Sequence, residues 1–224
     1  MNGTFSPSLA VAAKDLRSEL RTRYGLTTLA LSVVTTVALV VFAAGEEPLS
    51  KPLSAAIVWI AMVTTAMAGL GRTFISEEER GTSVFLRLTT PSLSVYFGKL
   101  GVNLALCTLA NVATAVLFFL FVPAIGAGNM ISYTAVVLSG SLGISASATI
   151  ISAIVAKAGG RNALLPVLAF PLLVPVLLPG VNATIAAMAG FSIAEILGDL
   201  VVVTSYSGIL IVVSALVFDV LWED

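Results

Sequence analysis

Three observations predict an all-α, polytopic membrane protein with six transmembrane helices. The chain of 224 residues is 58% hydrophobic and only 10% charged, with a mean hydropathy of +1.07. Soluble domains carry about 25% charged residues, so lipid rather than water is the main solvent here. The apolar residues fall into runs of the length demanded by a hydrocarbon core about 30 Å thick, about 20 residues each. The basic residues are spread unevenly over the connecting segments, which sets an orientation.

Composition also removes chemistry. There is no histidine, so the commonest haem and zinc ligand and the usual general base near neutral pH are missing. The single cysteine, Cys107, lies inside an apolar run and offers neither a disulfide nor a thiolate cluster. A basic nucleic-acid footprint is absent, and no GxxxxGK[ST] loop is present to bind ATP. An enzyme reading therefore has no nucleophile and base to stand on.

Residues 1–25 precede the first span. At helical period Leu9, Val11, Ala12, Leu16 and Leu20 form one apolar side, while Lys14, Asp15, Arg17, Glu19 and Arg21 lie mostly elsewhere. Ser8 is placed to cap the start. The pattern predicts an N-terminal amphipathic interfacial helix that turns into the first span near Gly25. Glu19 and Arg23 are spaced for an ion pair, and Arg17 and Arg21 form a like-charge pair that faces lipid phosphates or a partner. The positive residues follow a mixed segment, unlike those of a signal peptide.

The first span is predicted over 26–44 and the second over 53–70, with Trp59 where an aromatic-belt residue would sit. The third covers 100–122, with Asn103 and Asn111 as candidates for interhelical hydrogen bonds. The fourth, 131–156, carries Ser139, Gly140, Ser141, Gly143, Ser145, Ser147 and Ser152, a surface suited to close helix approach and to the centre of a bundle. The fifth starts near Ala163. Its Pro166, Pro171, Pro175 and Pro179 remove backbone donors, which predicts a kinked or locally unwound helix. Residues 182–200 read as an external short or re-entrant helix ending at Glu195 and Asp199, and the last span as 201–221, with Asp219 at the interface. No linker long enough to separate domains is visible, so 1–224 reads as one domain.

With the N terminus inside, ten basic residues fall on the cytoplasmic side and only Lys51 outside. Both termini then face the cytoplasm, in a cell (plasma) membrane protein. The loop 72–99 is cytoplasmic as well. Ser76 and Glu79 fit a capping box, and Glu77 and Glu78 suit the positive end of a helix. Val84, Phe85, Leu86 and Leu88 supply an apolar surface, with Arg80 and Arg87 on other faces. Gly81 and Thr82 interrupt the helix or admit a partner's backbone, and Pro91 stops it. Such a segment fits a surface-anchored elbow or a coupling helix seated in a cytoplasmic nucleotidase.

The residues Lys14, Asp15, Leu16, Arg17, Glu19 and Arg21, the loop FISEEERGT at 74–82 with Leu86, Leu88 and Pro91, the run Gly98, Lys99 and Leu100, and LLPVLAFPLLVPVLLPG at 164–180 together carry a resemblance over nearly the whole chain. It resembles the cytochrome c maturation haem-exporter B subunit family, six-span permeases of the ABC-2 (type V exporter-like) kind with a cytoplasmic coupling helix. The resemblance implies a non-catalytic permease that assembles with a cytoplasmic ABC ATPase subunit, a haem-handling membrane subunit and a small single-span subunit. ATP hydrolysis would drive haem export or release of the haem-loaded chaperone. It implies ATP and Mg on the partner ATPase, haem on a partner subunit and no cofactor bound directly. Glu77, Glu78 and Glu79 would pair with basic residues of the ATPase, and Arg80 and Arg87 with its acids. Phe85 and Leu86 would be the apolar anchor beside Gly81 and Thr82. A general ABC-2 permease for a lipid, drug or polymer is the alternative, and a non-transport scaffold is another.

Overall fold

In the computed structural model the described residues are 5–22, 24–45, 49–70, 73–79, 81–126, 128–158 and 164–223, and among them there is no strand. The chain begins with α1 (Phe5–Thr22), which is followed by the first membrane-length helix α2 (Tyr24–Ala44) and the second, α3 (Lys51–Leu70). Two short helices, α4 (Ile75–Glu79) and α5 (Ser83–Thr89), form the loop. Then come α6 (Ser92–Phe121), the single turn α7 (Pro123–Gly126), α8 (Met130–Lys157), α9 (Leu164–Met188) and α10 (Leu197–Glu223). Six of these helices are long and apolar enough to cross a membrane: α2, α3, α6, α8, α9 and α10. The chain is thus a multi-pass membrane protein.

Helix α8 sits at the centre and packs against α3, α6, α9 and α10. Ser139, Ser141, Ser145 and Ser147 bond back to their own helix, as Ser141 Oγ does on Val137 O at 2.7 Å and Ser147 Oγ on Gly143 O at 2.9 Å. A small side chain whose hydroxyl bonds backward leaves room for a neighbour at no polar cost. The two asparagines of α6 reach across to it, Asn103 Nδ2 to Thr149 Oγ1 at 2.9 Å and Asn111 Nδ2 to Ser141 Oγ at 3.0 Å.

Trp59 is not a belt residue. It is 2% exposed, and its Nε1 donates to Thr184 Oγ1 at 2.9 Å in α9. Glycines make the space: a Cβ on Gly140 would fall 2.6 Å from Trp59 Cη2, and one on Gly180 2.1 Å from Cζ2. The indole ring therefore fills a slot cut from α8 and α9, with its one polar atom paired.

The prolines of the fifth span predict a kink or local unwinding. Pro171, Pro175 and Pro179 lie within α9, which stays helical from Leu164 to Met188 and is not unwound. Pro166 falls in its first turn, where a proline costs no hydrogen bond. Tyr206 Oη of α10 donates to Leu172 O at 3.0 Å, a bond that ties α10 to the backbone of this helix. No separate helix covers 182–200. Residues 182–188 continue α9, and the chain then turns at Gly190, whose φ is +94°, into α10. Ser192 N and Oγ both donate to Glu195 Oε2, at 2.8 and 2.7 Å, and fix that turn.

Helix α6 has 30 residues. At 1.5 Å per residue it is about 45 Å long, longer than the hydrocarbon core is thick. Pro91 opens this helix as its N-cap rather than simply ending the one before.

Candidate functional site

The start of α6 is where the charge collects. Lys99 is 1% exposed, and a buried ammonium needs partners to offset its lost hydration. Its Nζ lies 2.9 Å from Asp15 Oδ2 of α1 and 3.2 Å from Glu77 Oε1 of α4, donates to Thr73 O at 3.4 Å, and stands 5.2 Å from the ring centroid of Phe74. Lys14 closes the group, 2.8 Å from Glu77 Oε1 and 3.2 Å from Asp15 Oδ1. Two lysines and two carboxylates thus tie the entry helix, the loop and the base of α6 into one neutral network.

The network holds its charge firmly. Burial opposes ionisation of Glu77, but Lys99, then the hydrogen bonds from Lys14 and Thr82, outweigh it and bring its pKa down to about 2. Burial likewise works against the Lys14 ammonium, and its bond to Glu77 with the charge of Asp15 overcomes that and raises its pKa. Glu77 and Lys14 are therefore both ionised at neutral pH.

The loop is shaped around this anchor. Gly81 has φ +68° with no atom within 4 Å of where a Cβ would stand, so glycine serves the left-handed turn there and not a close approach. Gly81 N donates to Glu78 O and Thr82 N to Glu77 O, both at 3.0 Å, which closes α4 and starts α5. The loop helix is thus interrupted at Gly81 and Thr82 and divides into two short ones. Ser76 lies inside α4 and donates to Thr73 O at 3.3 Å, so the expected Ser76–Glu79 capping box is replaced by Phe74 O accepting from Glu77 N and Glu78 N. Phe74 N in turn donates to Ser152 Oγ of α8 at 2.9 Å. Below it, Phe74, Tyr96, Phe218 and Trp222 form an aromatic cluster with centroid separations of 5.1 to 6.3 Å.

Several predicted site residues take other places. Glu77 is turned inward, its side chain 13% exposed, whereas Glu78 is exposed. Glu79 ends α4, and Arg80 lies outside the described residues. Leu86 is buried on the bundle, while Phe85 and Leu88 are 71% and 81% exposed, so the outward apolar pair is Phe85 and Leu88. Arg87 stands with its guanidinium carbon 5.1 Å from the Trp222 ring centroid. On α1, Val11 and Asp15 face α6, where a Cβ on Gly98 would meet Ser8 O at 2.8 Å and Val11 Cβ at 2.9 Å. Leu9, Leu16 and Leu20 are exposed on another side, as are Arg17 and Arg21. Val11 sits about 200° from Leu9 on a helical wheel, so the two cannot share a face. Ser8 lies within α1 rather than at its cap, and Arg23, the expected partner of Glu19, lies outside the described residues. Asp219 is partly buried and accepts from Ser92 Oγ.

Sequence reasoning did not bring together Asp15, Lys99, Thr73 and Trp222. The available signal was a pair of opposite charges each set against apolar residues; no spacing links them.

Fold and site define a class: a polytopic helical membrane subunit with an ion-paired loop anchored at one end of its bundle. The CcmB protein family matches residues 7–218, and the chain belongs to that family. It is accordingly a membrane permease subunit, a component of a haem exporter for cytochrome c maturation that works with other components of the same system. Comparison with curated proteins gives no match.

Proposed function

We propose that this chain converts ATP hydrolysis on a separate cytoplasmic ABC ATPase subunit into movement of its membrane helices, and that this movement serves haem export or release of the haem-loaded chaperone. The observation that carries the reading is the double attachment of the loop. Glu77 binds Lys14 of α1 and Lys99 of α6, while Phe85 and Leu88 on α5 stay exposed. A force applied to α5 would pass through α4 into the entry helix and the base of α6 together, as a rigid lever does. Glu78, Glu79 and Arg80 would add polar contacts around the Phe85 and Leu88 anchor.

In this reading both termini are cytoplasmic and the membrane is the cell membrane, with ten basic residues inside and Lys51 outside. ATP and Mg bind the ATPase, and haem sits on a haem-handling membrane subunit accompanied by a small single-span subunit. The whole chain acts as one permease domain and binds neither group itself. Affinity purification from native membranes, followed by mass spectrometry and a haem absorption spectrum, tests this. Recovery of an ATPase with a haem-bearing membrane subunit is expected, and the double substitution Phe85→Ala, Leu88→Ala should lower ATPase recovery about tenfold or more. An ATPase recovered without any haem subunit would favour a general ABC-2 exporter.

A further inference from the structure

Phe74 stands immediately before α4, where the second span gives way to the loop, and it is buried. Each part of it is used by a different element. Its N donates to Ser152 Oγ of α8 at 2.9 Å, and its O accepts from Glu77 N and Glu78 N of α4. The ring meets both the charged network and the last span. Its centroid lies 5.2 Å from Lys99 Nζ of α6, 5.1 Å from the Phe218 ring and 6.3 Å from the Trp222 ring of α10.

The last two turns of α10 are joined to the loop end at further points. Phe218 and Trp222 are four apart, so they share a face, and their rings stack at 5.1 Å. Trp222 carries the Arg87 guanidinium of α5, Phe218 packs on Tyr96 of α6 at 5.5 Å, and Asp219 accepts from Ser92 Oγ in the first turn of α6. Aromatic pairs at these separations, and a desolvated ammonium over a ring, depend on the ring's quadrupole as well as on its bulk. Phe74 thus meets the buried charge of Lys99 and the aromatic end of α10 with one π system, which an aliphatic residue of similar size does not have. From that end α10 runs back 27 residues, about 40 Å, to the turn 189–196, where Phe191 and Ile193 are exposed.

We propose that Phe74 is a positioning residue that carries displacement of the loop into α10, and that α10 delivers it to the turn 189–196 at the far end of the bundle. The proposal rests on the reading that an ATPase moves this loop, and adds to it the last span and the surface where the movement emerges. A helix shifts as a rigid body, so a displacement imposed through Phe218 and Trp222 reaches Leu197 and the turn before it. The bonds between Ser192 and Glu195 keep that turn in one piece.

The test is hydrogen exchange read by mass spectrometry on the intact complex in lipid nanodiscs, with and without a non-hydrolysable ATP analogue and Mg. In the native chain, nucleotide is expected to change exchange both in the loop, 73–90, and in the turn, 189–196. Phe74→Leu should reduce the response of the turn about fivefold or more relative to that of the loop. Phenylalanines carrying increasing numbers of fluorines at position 74 keep the shape of the ring while draining charge from its face, and should reduce the response stepwise. A purely structural role would leave that series flat. A nucleotide response confined to the loop of the native chain overturns the α10 route and leaves ATPase docking standing. A flat fluorinated series overturns the role of Phe74, whatever Phe74→Leu does. No response in either segment removes the reading of the loop on which both rest.

Discussion

At the loop end of the bundle, α1, α4 and α6 meet through Lys14, Asp15, Glu77 and Lys99, with pair distances of 2.8 to 3.2 Å. In the middle, α3, α8 and α9 meet through a single buried indole set against Gly140 and Gly180, with one neutral hydrogen bond to Thr184. Ion pairs depend on the charge state of both partners, which acid removes. An indole lodged between two glycine faces cannot withdraw without leaving a cavity that neither lipid nor water fills well. The difference teaches two ways of joining helices: the charged end is held by pairing, which salt and acid can weaken, and the Trp59 slot by fit.

The contrast can be broken at either end. The largest effect is expected from Lys99→Met, which strips the shared cation from Asp15 and Glu77 and should cost about 3 kcal/mol or more of stability in detergent unfolding. Adding Asp15→Asn should recover part of the loss, and an additive pair would show that the charges do not form one network. Gly180→Val pushes a branched side chain into the Trp59 ring and should cost about 1–3 kcal/mol, without any dependence on salt. Trp59→Phe, which removes the Thr184 bond while keeping most of the apolar contact, should cost about 1 kcal/mol in the same assay.

Acid should distinguish the two regions more finely. The folded pKa of Glu77 is about 2 against an ordinary 4.5, so its contribution is complete above pH 4.5 and is lost as the pH falls towards 2. Unfolding measured across that window should show a smaller acid loss in Glu77→Gln than in the native chain. The smallest effect belongs to Glu78→Gln, an exposed site, expected to change stability by less than about 0.5 kcal/mol. A larger change there would mean that Glu78 shares in the network.

The six spans are legible in the sequence because hydropathy acts on each segment by itself, and the small residues of α8 announce its central place for the same reason. What stays hidden depends on contacts between segments. Depth in a span suggests a belt position for Trp59, but its role comes from Gly140 and Gly180 on two other helices. Lys99 counts as one more cytoplasmic charge in the sequence, although burial beside Asp15 makes it the anchor of the loop. The acidic run 77–79 looks uniform as text, yet helical rotation by about 100° per residue sends Glu77 inward and leaves Glu78 outside. The prolines of α9 reveal on their own only what they remove, and the bond from Tyr206 to Leu172 O joins that helix to one far along the chain.

The pairing of α1 with distant segments has a consequence for how the chain is made. Lys14 is 63 positions ahead of Glu77, and Asp15 is 84 positions ahead of Lys99. At ribosomal speed the interval before Lys99 appears is on the order of ten seconds. Throughout that time Lys14 and Asp15 lack these partners, and Leu9, Leu16 and Leu20, exposed in the folded chain, are the apolar side that α1 offers to a lipid surface. The oily side of α1 is thus a temporary berth during synthesis, and Lys99, arriving last, is the clasp that makes the position permanent.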